Sequence, residues 1–244
     1  MNTRHILLTG ASRGLGLTIS RRLLENGYAV HSLQRSRSKE LMELAKKYPK
    51  RFFPHQVDLG NSATVEKTLV EQLPSGSALA FHGYVNNAAT AYDDLITNIQ
   101  QEPLEQMYQV NVFTPLLLTR FVLRNMLLHT TPGSIVHISS ICAHTGYKGL
   151  AMYASTKGAI EAFSRTTARE WGARKIRSNC VVCGFMETDM SATLDHDSRE
   201  RIYRRTSLKE ATSPQSVASL VSFLLSDDSH SVTGQNLFVD SGTI

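Results

Sequence analysis

The stretch HILLTGASRGLG, residues 5–16, decides the fold of this chain. Its first five residues are a short apolar run of the kind that forms a buried strand, and they pass straight into Gly10, Gly14 and Gly16. A segment of helical period, 15–26, begins inside the glycines. The spacing G-x-x-x-G-x-G between a strand and a helix lets the backbone approach a pyrophosphate at a helix N-terminus, where unpaired N–H groups favour an anion. A purely structural tight turn uses glycine as well, so the loop by itself leaves both readings open.

Asn26-Gly27 ends that helix and turns the chain into a second strand. From there short β-branched runs alternate with helical segments to the end of the sequence. HILLT (5–9), AVHSLQ (29–34), FFPHQV (52–57), ALAFHGYV (78–85), SIVHIS (134–139), RSNCVV (177–182) and NLFV (236–239) read as strands. Helical period marks 15–26, 39–48, 63–73, 103–129, 153–171 and 214–225. Pro103 and Pro214 sit where a first helical turn tolerates proline. This alternation predicts an α/β fold: a Rossmann-like, doubly wound sheet, mostly parallel, of about seven strands with helices on both faces. Residues 1–244 contain no linker, repeat or low-complexity segment and are expected to form one domain. The polar, weakly periodic stretch at about 185–212 is expected to be an excursion that covers a site.

Bulk properties narrow the function. The 244 residues are 41% apolar and 19% charged, as in an ordinary soluble globule. No window nears the roughly 18 unbroken apolar residues of a membrane span, and the N-terminus lacks the pattern of a secretory leader. A cytoplasmic location with no membrane partner is therefore expected. Cys142, Cys180 and Cys183 lack metal-ligand spacing and read as reduced, largely buried thiols. The nine histidines form no ligand pair, so no metal is expected. A net charge of +5 suits a phosphorylated cofactor or an acidic partner, but it is too dispersed for nucleic acid.

A dinucleotide enzyme preferring NAD places a carboxylate at the end of its second strand to hold the ribose hydroxyls. Here Gln34-Arg35 occupies that place, and Arg13 within the glycine loop adds a second cation. Guanidinium groups without a carboxylate fit a 2′-phosphate, so NADP(H) is the expected cofactor. Further on, MYASTKGAIEAF (152–163) sets Tyr153 and Lys157 four apart, on one face of a helix. Ser139 and Ser140 end the strand before it.

With TGASRGLG, VNNAA (85–89), Asn111, SIVHISS and YASTK in this order, the chain resembles the short-chain dehydrogenase/reductase family over essentially its whole length. CGFMETDM (183–190) and VTGQNLFVDSG (232–242) are most similar to its 3-oxoacyl-[acyl-carrier-protein] reductase branch. The resemblance implies a catalytic set of Asn111, Ser140, Tyr153 and Lys157. Tyr153 would give a proton to the carbonyl oxygen, and Lys157 would lower the phenol pKa and hold the nicotinamide ribose. Ser140 would bind the same oxygen, with Ser139 the competing choice; the family's Ser-to-Tyr spacing favours Ser140. Substrate would meet Ser140 and Tyr153. The implied cofactor contacts are Gly10, Ser12, Arg13, Gly14, Leu15, Gly16, Arg35, Asp58, Leu59, Asn87, Tyr153, Lys157, Met186 and Thr188. Asp58 would lie at the adenine and Thr188 at the carboxamide.

The resemblance also implies a homotetramer packed through helices 103–129 and 153–171. The main-chain carbonyl of Asn111 would bind a relay water, and Pro115, which has no N–H to offer it, would keep that carbonyl available. A simple helix kink is the competing explanation. Departures from the family include Ala89 and Ser241 for glycines and Cys183 for proline, the last either a redox-sensitive thiol or a small buried filler. Of two basic positions that meet acyl carrier protein, one is matched by Arg174 and the other is Thr131. The implied reaction is NADPH-dependent reduction of a ketone, most directly a 3-oxoacyl thioester on acyl carrier protein as in fatty-acid or polyketide synthesis. The alternatives are another ketone, a sugar or a secondary alcohol, or a catalytically silent NADPH-binding partner protein.

Overall fold

The computed structural model describes residues 3–73, 79–187 and 195–244. The chain begins β1 (His5–Thr9), α1 (Gly14–Glu25), β2 (Ala29–Gln34), α2 (Lys39–Lys47), β3 (Phe52–Gln56), α3 (Ser62–Glu71) and β4 (Phe81–Asn86). It continues α4 (Gln101–Tyr108), α5 (Thr114–Leu128), β5 (Gly133–Ser140), α6 (Ala151–Trp171), β6 (Ile176–Cys183), α7 (His196–Arg205), α8 (Pro214–Leu225) and β7 (Asn236–Val239). The strands form one sheet in the order β3-β2-β1-β4-β5-β6-β7, with every neighbouring pair parallel. Parallel pairing forces each connection over a face of the sheet, so both faces are covered. Winding reverses between β1 and β4, and such a reversal opens a crevice at the C-terminal strand ends.

Side-chain alternation splits the core in two. Ile6 and Leu8 of β1 join Val85, Val136 and Val181 under Ile19, Leu23, Val217 and Val221 of α1 and α8. Leu7 points the other way, with Tyr84 and Ile135, against Leu118 and Val122 of α5. Helix starts follow local chemistry. Ser38 caps α2 by accepting from Leu41 N–H at 3.1 Å, and Asn61 caps α3 by accepting from Thr64 N–H at 3.1 Å.

Two elements depart from the sequence expectation. The helix expected over 103–129 is three pieces: α4, one π turn at Gln109–Phe113, and α5. Thr114 N–H reaches back five residues to Gln109 C=O, and Pro115 offers no N–H for the α-helical bond to Asn111. The excursion at 185–212 contains α7, which buries no side chain and so shows no apolar stripe. Its start is fixed by Asp195, whose carboxylate accepts from Ser198 N–H at 2.7 Å. Among the described residues, no helix is long and apolar enough to cross a membrane.

Several histidines are buried in this core without a charge partner. His31 stacks on Phe53 with ring centroids 4.7 Å apart, and its Nε2 lies 3.1 Å from His5 Nδ1. His137 is wholly buried between the rings of Tyr84 and Phe163, and neither of its ring nitrogens is hydrogen-bonded. Burial pushes both imidazoles down to about 3. The unfolded chain binds these protons near pH 6.5, so stability falls as pH drops from there toward 3. At pH 5 the loss is about 2 kcal/mol per imidazole. Urea unfolding at pH 7 and pH 5 should show a shallower pH dependence for His137→Phe than for the wild type; equal slopes would contradict this account.

Candidate active site

The glycine loop is shaped by what it cannot hold. Gly10 and Gly14 have φ of 76° and 53°, in the left-handed region that favours glycine. A Cβ at Gly16 would lie 1.9 Å from the Gly10 carbonyl oxygen, so only glycine allows the loop to close. Arg13, at the N-cap of α1, makes no side-chain capping bond, which leaves first-turn N–H groups without a side-chain acceptor. These features fit a dinucleotide pyrophosphate.

Thr9 and Asn87 knot the loop to β4. Thr9 Oγ1 accepts from the N–H groups of Asn87 and Ala88, each at 3.0 Å. Asn87 Nδ2 donates back to Thr9 C=O at 2.9 Å and Gly10 C=O at 3.2 Å. Asn87 thus holds the cradle in shape from beside it. Ser12 C=O accepts from Ser38 Oγ at 2.5 Å, which docks the loop on α2.

At the end of β2, Gln34 is buried and donates to His55 C=O at 2.9 Å, which turns it toward β3. Arg35 and Arg13 are exposed. Asp58 is exposed, and its Oδ1 accepts from Gly60 N–H at 3.0 Å. The side chains of Leu15 and Leu59 are buried, and Met186 packs against the core under α1 and α8, so Leu15 and Leu59 can offer a ligand mainly backbone. Thr188 lies outside the described residues.

Across the crevice, β5 and α6 present the second group. Lys157 is 5% exposed and donates from Nζ to Ile138 C=O at 2.9 Å. Its ammonium stands over the Tyr153 ring, 5.4 Å from the centroid. Ser140 caps the turn Ile141–Ala143: its Oγ accepts from Cys142 N–H at 3.2 Å, which leaves the hydroxyl proton for another acceptor. Ser139 is buried and donates to Glu161 at 2.5 Å. The side chain of Ser139 is therefore committed elsewhere, and Ser140 is the serine at the strand end facing Tyr153's neighbour Cys142.

Asn111 is buried in the π turn. Its Oδ1 accepts from Thr90 N–H at 2.9 Å, while Nδ2 donates to Thr90 C=O at 2.8 Å and Thr156 Oγ1 at 3.1 Å. The amide is spent on joining the loop after β4 to α6, next to Lys157. What this residue can offer a ligand is main chain.

Burial dominates the electrostatics of this group. Burial raises the Tyr153 phenol above its ordinary range, with Cys142, Cys183 and Asp93 adding to the effect. Burial is the largest cause of this rise, with the Lys157 ammonium 5.4 Å from the ring centroid. Lys157 itself is pulled down to about 8 by burial. Cys183 is buried, and its thiol is pushed up to about 12, which makes it a packing side chain rather than a reactive thiolate. Reading the sequence missed Glu161, although it follows Lys157 by one helical turn, the same spacing that marked Tyr153 and Lys157.

A dinucleotide cradle facing a Tyr-Lys pair across a reversed parallel sheet defines an oxidoreductase acting between CH–OH and C=O. The family model described as enoyl-(acyl carrier protein) reductase matches residues 10–243. Carbonyl reductase [NADPH] 2 of Sus scrofa is 33% identical, covering 97% of this chain and 94% of the relative. The 3-oxoacyl-[acyl-carrier-protein] reductase of Chlamydia pneumoniae is 31% identical, covering 98% and 96%. A solved short-chain dehydrogenase/reductase family protein superposes with a TM-score of 0.87 at 28% identity, covering 98% and 96%. The chain belongs to the short-chain dehydrogenase/reductase family.

Replacing Asn111 by Ala would leave Thr90 N–H and C=O without their partner in a part-buried setting, at a cost of about 1–3 kcal/mol. A lowered urea midpoint with an unchanged m-value is the expected readout.

Proposed function

We propose that this protein reduces a ketone to a secondary alcohol with NADPH, and that a 3-oxoacyl thioester carried by acyl carrier protein is its first-choice substrate. The observation that carries the reaction is the Ser140, Tyr153 and Lys157 group at the C-terminal end of β5, opposite the glycine cradle. Ser140 Oγ–H binds the carbonyl oxygen, and Tyr153 donates its phenolic proton to that oxygen. NADPH, when bound, supplies the hydride that forms the new C–H bond. Lys157 holds a positive charge beside the phenol, so that the tyrosinate left behind is stabilised. Asn111 contributes through its main-chain carbonyl, which Pro115 cannot occupy with an N–H. Gly10, Gly14 and Gly16 would cradle the pyrophosphate, with Ser12 and Leu15 offering backbone; Asp58, Leu59, Asn87 and Met186 would line the rest of the cofactor, and Thr188, outside the described residues, keeps its implied role at the carboxamide.

Preference for NADPH rests on the end of β2. Gln34 is turned away toward His55 C=O, no carboxylate replaces it, and the exposed Arg35, with Arg13 in the glycine loop, supplies guanidinium charge suited to a 2′-phosphate. The acyl reading rests on similarity to the Chlamydia reductase and on the late motifs of the sequence. Arg174 is exposed at the end of α6, as a carrier contact requires, whereas Thr131 brings no charge. A small non-acyl ketone or sugar is the second reading, favoured by the comparable identity to pig carbonyl reductase. We place the enzyme in the cytoplasm as one domain. Phe113 and Leu128, 52% and 63% exposed on and beside α5, support self-association as a tetramer.

NADPH oxidation with acetoacetyl thioester should exceed that with NADH and that with a simple ketone. Faster turnover of the simple ketone would transfer the proposal to the second reading, and equal use of NADH would refute the arginine argument. Tyr153→Phe should lower kcat at least about 100-fold while NADPH binding stays within a few-fold. Retained turnover in that variant would break the mechanism.

A further inference from the structure

Glu161 is a buried acid that the proposed reaction does not use. It lies on α6 one turn beyond Lys157 and two beyond Tyr153, so the three side chains share a helix face. It is 4% exposed, and three donors from three different elements converge on it. Ser139 Oγ on β5 donates at 2.5 Å, Asn236 Nδ2 on β7 at 2.6 Å, and His144 Nε2, just beyond the turn that Ser140 caps, stands at 3.0 Å. His144 is in turn packed edge-on against Phe238 of β7, with ring centroids 4.9 Å apart. A buried carboxylate with this many donors is held in one place, and it cannot swing out to water.

Its position matters because of what else faces Lys157. Tyr153 lies on the same helix, His137 on β5, Cys142 in the turn, and Cys180 and Cys183 on β6. Burial keeps the imidazole of His137 unprotonated, and it keeps the thiols of Cys180 and Cys183 as thiols by pushing them up to about 12. The Cys142 thiol and the Tyr153 phenol are raised as well. Asp93 acts on Tyr153 and Cys142 from the loop after β4. Burial acts on the ammonium first, then Cys183, Cys180 and Cys142, and Glu161 after them; among these described groups Glu161 is the one carboxylate.

We propose that Glu161 is a positioning residue that holds the charge of Lys157: clamped by Ser139, His144 and Asn236, its carboxylate keeps a fixed anion one helical turn from the ammonium. The same clamp ties the strand end bearing Ser140 to α6, so charge and geometry are set together. The inference rests on the reductase reading for its consequence, but the charge effect stands without it.

Glu161→Gln keeps the size of the side chain and removes the charge. Carbon-13 NMR titration of lysine side chains, with Lys157→Arg assigning the signal, reads the Lys157 midpoint whether or not any ketone is reduced. The expected result is a midpoint about one pH unit lower in E161Q, and a partial return toward the wild-type value in Glu161→Asp, which restores the charge but not the full clamp. In turnover, the fall of kcat at high pH should move down by the same amount, because activity is lost as pH rises through the Lys157 midpoint. Ser139→Ala removes a donor that shares the carboxylate's charge and should raise the midpoint, which gives a second test if E161Q does not fold. An unchanged Lys157 midpoint in either variant overturns the proposal. A wild-type enzyme that reduces no ketone would overturn the reductase reading while the NMR result still decides the role of Glu161.

Discussion

The knot between Thr9 and Asn87 is the constraint on which the rest of the structure depends. A parallel sheet that winds both ways from its middle must send its connections apart at one place, and here that place is the paired strands β1 and β4. Past the end of β1, Gly10 N–H still reaches Leu33 C=O of β2 at 2.8 Å, while the N–H groups of Asn87 and Ala88, past β4, turn to a side chain. Thr9 Oγ1 takes both of those N–H groups, and Asn87 covers the carbonyls of Thr9 and Gly10. With those groups paired, the glycine loop can fold tightly enough that Gly16 rests against the Gly10 carbonyl.

On the far side of the crevice, α6 gathers the chemistry. Lys157 is anchored to β5 by the Ile138 carbonyl, and Glu161 ties the same helix to β5 and β7. Thr156 receives Asn111 from the π turn, so the α4–α5 segment is fixed to α6 next to Lys157. A long helix suits this work because residues four apart stay in line while each meets a different strand. Dehydration is the cost of the arrangement. It pulls Lys157 down to about 8 and raises the phenol of Tyr153, so both groups are displaced from their ordinary ranges.

Much of this was legible in the residues. The strands HILLT, AVHSLQ and NLFV were located at their observed bounds, because short β-branched runs between turn residues have few other uses. The helix after Pro214 was equally plain. The π turn was not, although Pro115 marked the weak point: proline shows which N–H is missing, not which register the chain adopts to live without it. Helix α7 escaped because its signal is a cap at Asp195 and not an apolar stripe.

By itself the sequence determined the family, the alternating α/β order, the glycine cradle and the Tyr153–Lys157 pair, since each depends on residues close together in the chain. The tertiary structure decided what depends on residues far apart. It separated Ser139 from Ser140 by giving one of them to Glu161, and it committed the Asn111 amide to Thr90 and Thr156. It also turned Gln34 toward β3, buried Cys183, and brought β5, β7 and the His144 turn onto one carboxylate. Spacing along a chain fixes which side chains can share a helix face. Which of them keep a free proton, a free lone pair or a charge is set by neighbours that only folding supplies.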